Sequence, residues 1–262
     1  MIKAMRTAAT GMIAQQMNVD NIANNLANVN TTGFKKSKVQ FQDVLYQNIR
    51  QAGSSSSVGT RRPTELSIGY GTRAVATHRS FTEGDLTPTG NPLDLAISGD
   101  GFYQIQYPDG STVYTRDGAF KLSADGTVVT SEGYSLLPEI SIPEDSVSIS
   151  VGGDGTIEVL QFGNDTPTQI GQIELARFVN PSGLSALGHN LLVQTGASGD
   201  PTIDVPSQSG MGQIDQGYLE MSNVDVVDEM VNMIVAQRAY EMNSKAIQTA
   251  DDMSQIANSL KR

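Results

Sequence analysis

The residue types that most often carry out chemistry are few in this sequence and show no catalytic spacing. The two histidines, His78 and His189, stand alone among Gly, Thr and Ser residues, and we interpret both as surface residues. No HExxH, GxSxG or phosphate-binding loop pattern occurs. Among 28 acidic residues some carboxylates must be neighbours, which leaves a glycosidase-like pair open but singles none out. We therefore expect no catalytic residue, no cofactor, no metal and no enzymatic function.

The overall composition limits the protein classes further. The chain has 262 residues, a net charge of −11 and no cysteine. The negative charge argues against a nucleic-acid partner, and the missing cysteines exclude disulfides and cysteine-ligated metals. No apolar run is long enough for a cleaved secretion signal or a membrane span. We therefore expect neither nucleic-acid binding nor membrane insertion.

Amide side chains are the most conspicuous polar feature of the N-terminal region. Residues 21–37 read NIANNLANVNTTGFKKS, with five asparagines in ten residues. Asn18, Asn21, Asn25 and Asn28 are spaced by three and four, which places them in one stripe of a helix. Solvated helix faces usually carry Glu and Lys, which favour the helix more than Asn does. Two interpretations stay open: a solvated polar face, and a helix packed on several sides whose amides bond to neighbours.

An apolar heptad beside these amides predicts the N-terminal helix itself. Its positions are Ile2, Met5, Ala9, Met12, Gln16, Val19, Ala23 and Leu26, widened by Ile13, Ile22 and Val29. Spacings of three and four put these residues on one side of a helix. Gly33 is predicted to end the helix in a left-handed conformation, with Phe34 packing back on Val29.

A second long helix is predicted from Ser222 to the C-terminus, over about 40 residues. Its apolar positions are Val224, Val227, Val231, Ile234, Val235, Ala239, Met242, Ala246, Met253, Ile256 and Leu260. Residues 1–40 carry a net charge of +4 and residues 220–262 a net charge of −3, as expected for two helices that lie together. Such a pair leaves apolar flanks and amides uncovered, which many copies side by side could cover.

The central region follows a different pattern. Five Asp-Gly pairs lie between residues 98 and 180, separated by short strand-like runs such as STVYT, VSISV and TIEVLQF. Asp-Gly between alternating segments is a strong hairpin signal. The sequence therefore predicts an α+β fold, in which long N- and C-terminal helices enclose an inserted antiparallel β domain.

Both ends of the chain resemble the axial proteins of the bacterial flagellum, the family of rod and hook subunits. The similar stretches are NIANNLANVNTTGFKKS near the N-terminus and GYLEMSNVDVVDEMVNMIVAQRAYEMNSKAIQTADDM near the C-terminus. The interior stretches RSFTEGDLTPTGNPLDLAISGDGFYQI and YTRDGAFKLSADGTVVTSEGYSLLP resemble the β core of the same proteins. The resemblance covers nearly the whole chain.

Within this family the distal rod subunits are the most similar branch. Hook subunits are longer and carry an extra outer β domain, for which this chain has no room. Residues 47–70, QNIRQAGSSSSVGTRRPTELSIGY, fill the place of an extended segment in distal rod subunits. By its composition alone, the stretch AGSSSSVG is predicted to be a flexible loop. The resemblance instead implies a segment that packs between subunits and stiffens the tube. Another rod or hook-type axial protein is the alternative.

The resemblance implies three regions. Residues 1–33 and 221–262 are expected to form a helical domain that lines a tube in the manner of a coiled coil. Residues 34–80 are expected to connect the two parts and to contain the extended segment 47–70. Residues 81–220 are expected to form the antiparallel β domain.

The resemblance also implies a structural function. The chain is expected to polymerise helically into a rigid hollow drive shaft that transmits motor torque to the hook. Expected partners are further copies of the chain, proximal rod and hook proteins, the peptidoglycan-layer and outer-membrane rings, and the flagellar export apparatus. The expected location is the basal-body rod within the periplasm, reached by flagellar type III export without a cleaved signal.

In such a polymer each terminal helix would touch several neighbours, and the asparagine amides would set the register among subunits. The residues expected at these subunit interfaces are Met5, Met12, Val19, Asn21, Ile22, Asn25, Leu26, Asn28, Val29, Val227, Val231, Ile234, Arg238, Tyr240, Met242 and Ile256. Two other kinds of protein stay open: a non-flagellar fibre subunit with a helical stalk, and a β-rich polysaccharide enzyme.

Overall fold

The computed structural model of the chain describes residues 2–52, 55–57, 60–61, 64–163 and 166–259. Two long helices stand at the ends, α1 (Ile2–Ala27) and α2 (Val226–Ser259). Asp225 begins α2, because its Oδ1 accepts hydrogen bonds from the backbone N–H groups of Val227 at 2.8 Å and Asp228 at 3.2 Å. The helix therefore starts later than the sequence suggested at Ser222, and it spans 34 residues. No helix within the described ranges is both long and apolar enough to span a membrane.

The N-terminal helix ends earlier than predicted. It stops at Ala27 rather than at Gly33, and a run of turns follows. Thr31 N–H donates to the Asn28 carbonyl at 3.2 Å, and the Thr31 hydroxyl bonds the Asn28 side chain. Asn and Thr side chains of this kind compete with helical hydrogen bonds, which favours an early end. Gly33 has the predicted positive φ of 66°, but it lies beyond this turn and does not terminate α1.

Strands occupy most of the chain between the helices. Those before residue 100 are β1 (Ser37–Asp43), β2 (Tyr46–Arg50), β3 (Ser55–Ser57), β4 (Thr60–Arg61), β5 (Leu66–Gly69), β6 (Thr72–Arg79), β7 (Leu86–Pro88) and β8 (Leu95–Ser98). The next group is β9 (Phe102–Gln106), β10 (Thr112–Thr115), β11 (Lys121–Leu122), β12 (Val128–Val129), β13 (Leu136–Leu137), β14 (Ser146–Val151), β15 (Thr156–Gln161) and β16 (Thr168–Gln172). The last are β17 (Leu175–Arg177), β18 (Ser185–Gly188), β19 (Leu191–Val193), β20 (Thr202–Asp204), β21 (Gln213–Gln216) and β22 (Tyr218–Glu220), with a 3₁₀ turn at Pro181–Gly183.

The largest sheet has seven strands in the order β18-β19-β10-β9-β17-β20, with β13 also paired to β9. A three-stranded sheet, β14-β15-β16, accompanies it, and the remaining strands form two-stranded ladders. Every pairing with a described register is antiparallel, as in β9 with β10, where Val113 lies opposite Ile105. The structure thus has mixed helical and antiparallel strand content, with the strands inserted between two terminal helices.

Three of the five Asp-Gly pairs form the predicted hairpin turns. Asp109–Gly110 joins β9 to β10, Asp125–Gly126 joins β11 to β12, and Asp154–Gly155 joins β14 to β15, each with a positive glycine φ. The prediction is wrong for the other two, because β8 pairs with β21 rather than with β9, and β10 does not pair with β11. At Asp117–Gly118 the glycine is required by packing instead, since a Cβ on Gly118 would lie 1.7 Å from the Leu95 carbonyl oxygen.

The main hydrophobic core lies among these sheets. It is built around Tyr103, Phe120, Leu136 and Leu175, all at most 1% exposed, and the Tyr103 and Phe120 rings meet edge to face at 5.1 Å. A second cluster contains Phe102, Tyr114 and Phe178. Small cores of this kind rely on such aromatic contacts, because each ring buries a large apolar area.

The chain divides into two compact units. Unit 1 comprises Met1–Leu26, Ser37–His78 and Asp225–Arg262, as far as these residues are described, and unit 2 comprises Ala27–Lys36 and Arg79–Val224. Residues 34–80 were expected to form a connecting region; their residues 37–78 cluster with the terminal helices in unit 1, and residues 34–36 and 79–80 belong to unit 2. The two units differ strongly in net charge. Unit 1 holds 11 Lys and Arg against 9 Asp and Glu, a net charge of +2, whereas unit 2 holds 6 against 19, a net charge of −13.

Candidate functional site

The two terminal helices pack against each other in unit 1 and run antiparallel. A Cβ on Gly11 would lie 2.9 Å from Nδ2 of Asn243, and Asn25 Nδ2 lies 3.3 Å from Oε2 of Glu229. These two contacts are 14 residues apart on both helices, so one register holds over roughly 20 Å of helix. Gly11 permits the close approach because it has no side chain.

Small residues are prominent among the buried positions of these two helices. The buried alanines are Ala8 and Ala14 on α1 and Ala236 and Ala250 on α2. Ile22 is the one large apolar side chain of α1 that is fully buried among the described residues. The buried apolar positions of the two helices are therefore mostly alanines rather than the large residues of the apolar heptad that the sequence suggested.

The predicted interface residues accordingly fall into three groups. Ile22 and Asn25 are buried. Met5, Met12, Val19, Asn21, Leu26, Asn28 and Val29 are partly buried. Val227, Val231, Ile234, Arg238, Tyr240, Met242 and Ile256 are exposed. Of the two residues proposed for the helix end, Gly33 is buried and Phe34 is partly buried.

The asparagine stripe of α1 has partners within the chain. Asn25 is 1% exposed; its Oδ1 accepts from Ser37 N–H at 3.0 Å and its Nδ2 donates to the Ser37 carbonyl at 2.8 Å. Asn21 Nδ2 donates to the same carbonyl at 2.7 Å. Asn25 therefore bonds both backbone groups of the first residue of β1, as a neighbouring strand would, and Asn21 adds a second bond to its carbonyl. These bonds account for the burial of Asn25, so a solvated polar face is excluded for this residue.

We expect Asn25→Asp to destabilise unit 1 by about 1–3 kcal/mol. Aspartate cannot donate to Ser37, and it would place a second carboxylate beside Glu229. Hydrogen exchange of the α1 and α2 amides measures the loss. Asn25→Asp that exchanges as slowly as Gln16→Glu, an exposed change on the same helix, would contradict this role.

A stripe of large apolar side chains on α2 is left in contact with solvent. We call it the α2 stripe; it consists of Val227, Met230, Val231, Ile234, Val235, Met242, Met253 and Ile256, each at least 50% exposed. Single exposed apolar residues are common, but a contiguous apolar face marks an interaction surface. The α2 stripe includes five of the residues that the sequence placed at subunit interfaces, and it makes this helix the clearest candidate site for assembly.

A two-stranded ribbon in unit 1 adds further exposed apolar residues. β2 pairs with β5, with Gln47 opposite Ile68, and Leu45, Tyr46 and Leu66 are each at least half exposed. The ribbon contacts the start of α1, where Lys3 Nζ bonds Gln47 Oε1. A ribbon of two strands is marginally stable by itself. The predicted extended segment 47–70 includes most of this ribbon, and its residues 53–54, 58–59 and 62–63 lie outside the described residues.

Unit 2 contains a buried ionic cluster, which we call the Glu220 cluster and which consists of Glu220, Lys35 and Arg116. Glu220 Oε1 bonds Lys35 Nζ, and Glu220 Oε2 accepts from Arg116 Nε at 2.9 Å. The side chain of Glu220 is fully buried, and those of both cations are at most 5% exposed. Arg116 also donates to the carbonyls of Gly99 and Gly101. A buried carboxylate needs such partners, because its desolvation is otherwise very unfavourable.

Further bonds join the segments through which the chain enters and leaves unit 2. Gly33 N–H donates to the Glu220 carbonyl at 2.8 Å, and Gly84 N–H donates to Glu220 Oε1 at 3.0 Å. Asn223 accepts from Lys36 N–H at 2.8 Å and donates to the Ser80 carbonyl at 3.1 Å. Residues near 35, 82 and 221 are thus held together by side chains from all three segments. Gly33 is needed here, since a Cβ would lie 2.6 Å from Asp117 N.

The Glu220 cluster also shifts the ionisation of its members. Burial alone would raise the pKa of Glu220, but the adjacent Arg116 and Lys35 outweigh it, so the pKa lies below its ordinary value. Burial lowers the pKa of Lys35, partly offset by Glu220. Sequence reasoning missed this cluster, because its members are separated by 185 and 104 residues and lie in no common motif. No group of three or more His, Asp or Glu side chains able to hold a metal ion occurs in the described part of the chain.

Comparison with protein-family models gives three matches. A model for flagella basal body rod proteins matches residues 5–35, the FlgE/F/G D1 domain model of the flagellar hook protein matches residues 96–159, and the C-terminal model of flagellar basal body rod FlgEFG proteins matches residues 215–260. The first and third include most of α1 and α2, and the second includes the central strands of unit 2. The matches thus include both terminal motifs and the β region between them.

Similar proteins are matched from end to end. The chain is 52% identical over 264 residues to the flagellar basal-body rod protein FlgG of Borreliella burgdorferi, with 100% of both chains covered. It is 48% identical over 261 residues to the protein of the same name from Caulobacter vibrioides, covering 99% of this chain and 100% of the relative. With the corresponding protein of Bacillus subtilis the identity is 40% over 270 residues, with full coverage of both.

Proposed function

Since the chain belongs to the FlgG family of flagellar basal-body rod proteins, we propose that its copies polymerise helically into the distal rod, a hollow shaft that transmits motor torque to the hook. The protein is a structural subunit of the flagellar rod and not an enzyme, because its family is structural. The observation that carries this function is the end-to-end similarity, which includes both terminal motifs as well as the β region.

The exposed apolar residues of unit 1 support polymerisation as the mode of action. The side chains of the α2 stripe stay at least half exposed within the described chain, and burying the exposed part of each contributes on the order of 1 kcal/mol. A head-to-tail contact that does not close generates an open helical array. We propose that the terminal helices line the tube as a coiled-coil-like layer and that the β domain, residues 81–220, forms its wall. The sixteen interface residues named from the sequence would lie between copies or beside those contacts.

The charge distribution supports the same arrangement. Unit 1 is close to neutral, at +2, so copies can approach one another there with little repulsion. Unit 2, at −13, suits a hydrated outer surface. We propose that this surface faces the peptidoglycan-layer and outer-membrane rings within the periplasm, that proximal rod and hook proteins adjoin the ends of the polymer, and that the chain is exported by the flagellar type III apparatus without a cleaved signal.

Deletion and complementation test this function. In the source bacterium, cells that lack the chain should be non-motile, and their isolated basal bodies should end at the proximal rod by electron microscopy. A plasmid copy should restore full-length rods, and a tagged copy should be located between the proximal rod and the hook. Full-length rods and normal swimming in the deletion strain would overturn the proposed function.

A further inference from the structure

The backbone passes between unit 1 and unit 2 at four points, after residues 26, 36, 78 and 224. Any force that is carried along the backbone from one unit to the other must pass through the residues at these points. Short segments without regular structure open locally at little cost unless other groups hold them. The bonds that these segments make therefore decide how much force the backbone can transmit.

One side chain bonds the segments at the last three of these points. Asn223 Oδ1 accepts from Lys36 N–H at 2.8 Å. Its Nδ2 donates to the Ser80 carbonyl at 3.1 Å and to the Thr82 hydroxyl at 2.9 Å. Ser80 N–H donates in turn to the Lys36 carbonyl at 2.9 Å. We call Lys36, Ser80, Thr82 and Asn223 the neck, and all four residues belong to unit 2.

The residue type suits this position, because an asparagine side chain offers one acceptor oxygen and two N–H donors. The Glu220 cluster links the same three segments a second time, since Lys35 Nζ donates to the Thr82 carbonyl at 2.6 Å and also bonds Glu220. The segments are thus connected at neighbouring residues rather than by a single bond. Groups linked in this way open together, at a higher free energy than any one of them alone.

We propose that Asn223 is a positioning residue for force transmission, which ties the three segments into one joint that opens only as a whole. The inference rests on the proposed function, since it gives the transmitted torque a route within each copy of the chain. Three unlinked segments would yield one after another under load. The joint instead shares the load among three stretches of backbone, so that each copy stays stiff.

Hydrogen exchange of the purified full-length chain tests whether the joint opens as a whole. In Asn223→Ala, Lys36 N–H loses its acceptor and should exchange faster for that reason alone. The informative amide is Ser80 N–H, whose acceptor, the Lys36 carbonyl, is unchanged. We expect both amides to exchange about tenfold faster, with β9 and β10 unaffected. Faster exchange at Lys36 with no change at Ser80 would overturn the proposal.

Gln216→Ala is the matched control. Gln216 is partly buried in unit 2, as Asn223 is, and its Oε1 accepts from Val151 N–H at 3.1 Å. Its Nε2 donates to the Pro92 and Ile149 carbonyls at 2.9 and 3.0 Å. The control therefore removes a similar set of side-chain to backbone bonds that does not include the neck. It should leave the exchange of the neck amides unchanged.

Swimming under load tests the role in force transmission. Cells that produce Asn223→Ala should build rods of normal length and swim at the natural speed in dilute medium. In medium thickened with methylcellulose their speed should fall about twofold below that of natural cells, because a loosened joint yields faster under force. Gln216→Ala cells should match natural cells in both media. Equal speeds of Asn223→Ala and natural cells under load, or the same loss in both variants, would overturn the role of Asn223.

A second variant keeps the proposal testable if Asn223→Ala does not fold or assemble. Asn223→Asp retains the acceptor for Lys36 N–H but cannot donate to the Ser80 carbonyl. Ser80 N–H should then exchange faster while Lys36 N–H stays protected, and protection of both would contradict the joint. These outcomes concern the neck alone. Failure of the proposed function would instead appear as full-length rods and normal swimming in the deletion strain.

Discussion

Glu220→Ala is expected to lower the free energy of unfolding of unit 2 by about 3–5 kcal/mol, because it leaves two buried cations without their carboxylate. Lys35 would keep only the Thr82 carbonyl among its described partners, and Arg116 would keep backbone carbonyls. The free energy of unfolding of a single domain is about 5–15 kcal/mol, so this substitution would remove a large part of the stability of unit 2. Hydrogen exchange of the β9 and β10 amides in the purified full-length chain measures it.

A matched control separates burial from the mere loss of an acid. Glu158 is an exposed glutamate in β15, and Glu158→Ala should change the free energy of unfolding by less than about 0.5 kcal/mol. Similar losses for the two variants would show that the Glu220 cluster has no special contribution. Glu220→Gln should fall between them, since it keeps the shape of the side chain while removing its charge.

The loss in Glu220→Ala should also depend on pH in a definite direction. The pKa of Glu220 lies below its ordinary value of 4.5 in the folded chain, so the folded state binds fewer protons there than the unfolded state. Its contribution is therefore complete above about pH 5.5 and disappears as the pH falls through the folded pKa. The stability difference between the natural chain and Glu220→Ala should be constant near neutrality and shrink below pH 4.5. A difference that grows in acid would contradict the assigned direction.

Local signals made much of the fold predictable. Helical periodicity identified both terminal helices, and three Asp-Gly pairs marked hairpins, because a turn depends on a few adjacent residues. The same signal was wrong at Asp117–Gly118, where the glycine serves a close approach to Leu95 from another strand. The end of α1 was misplaced for a related reason, since side-chain bonds between Thr31 and Asn28 compete with the helix before Gly33 is reached.

The inward face of the helix pair could not be derived from hydrophobicity. A periodicity argument selects the stripe with the largest apolar side chains, whereas the helices approach each other closely at Gly11, and Ala8 and Ala236 are among the buried residues. Small residues permit that approach, and the larger apolar ones then remain outside. The Glu220 cluster was beyond prediction because its three members come from distant segments. Asn25 was only half anticipated: amides that bond to neighbours were one of the two open interpretations, but the burial was expected between copies rather than against Ser37 of the same chain.

Introducing charges into the α2 stripe should abolish rods while leaving the free chain intact. In the variant Val231→Lys/Ile234→Glu the net charge is unchanged, and both positions are about half exposed. Lys and Glu favour the helix more than β-branched residues do, and the new Glu would lie four residues before Arg238. The helix of the isolated subunit should therefore be as stable as before, by circular dichroism and thermal unfolding.

The same two substitutions should prevent assembly, although they leave the free chain folded. If Val231 and Ile234 are buried between copies, each lost side chain removes about 0.8–1.5 kcal/mol, since only its exposed half is newly buried, or roughly a factor of 10–10² in association for the pair. We expect no distal rods by electron microscopy, no swimming, and exported subunits that accumulate unassembled. Gln237→Lys/Gln248→Glu places the same charges at exposed polar positions of α2 and should assemble normally. Rods of normal length from the stripe variant would show that this face of α2 is not an interface, whereas a matching failure of the control would trace the defect to charge on the helix in general.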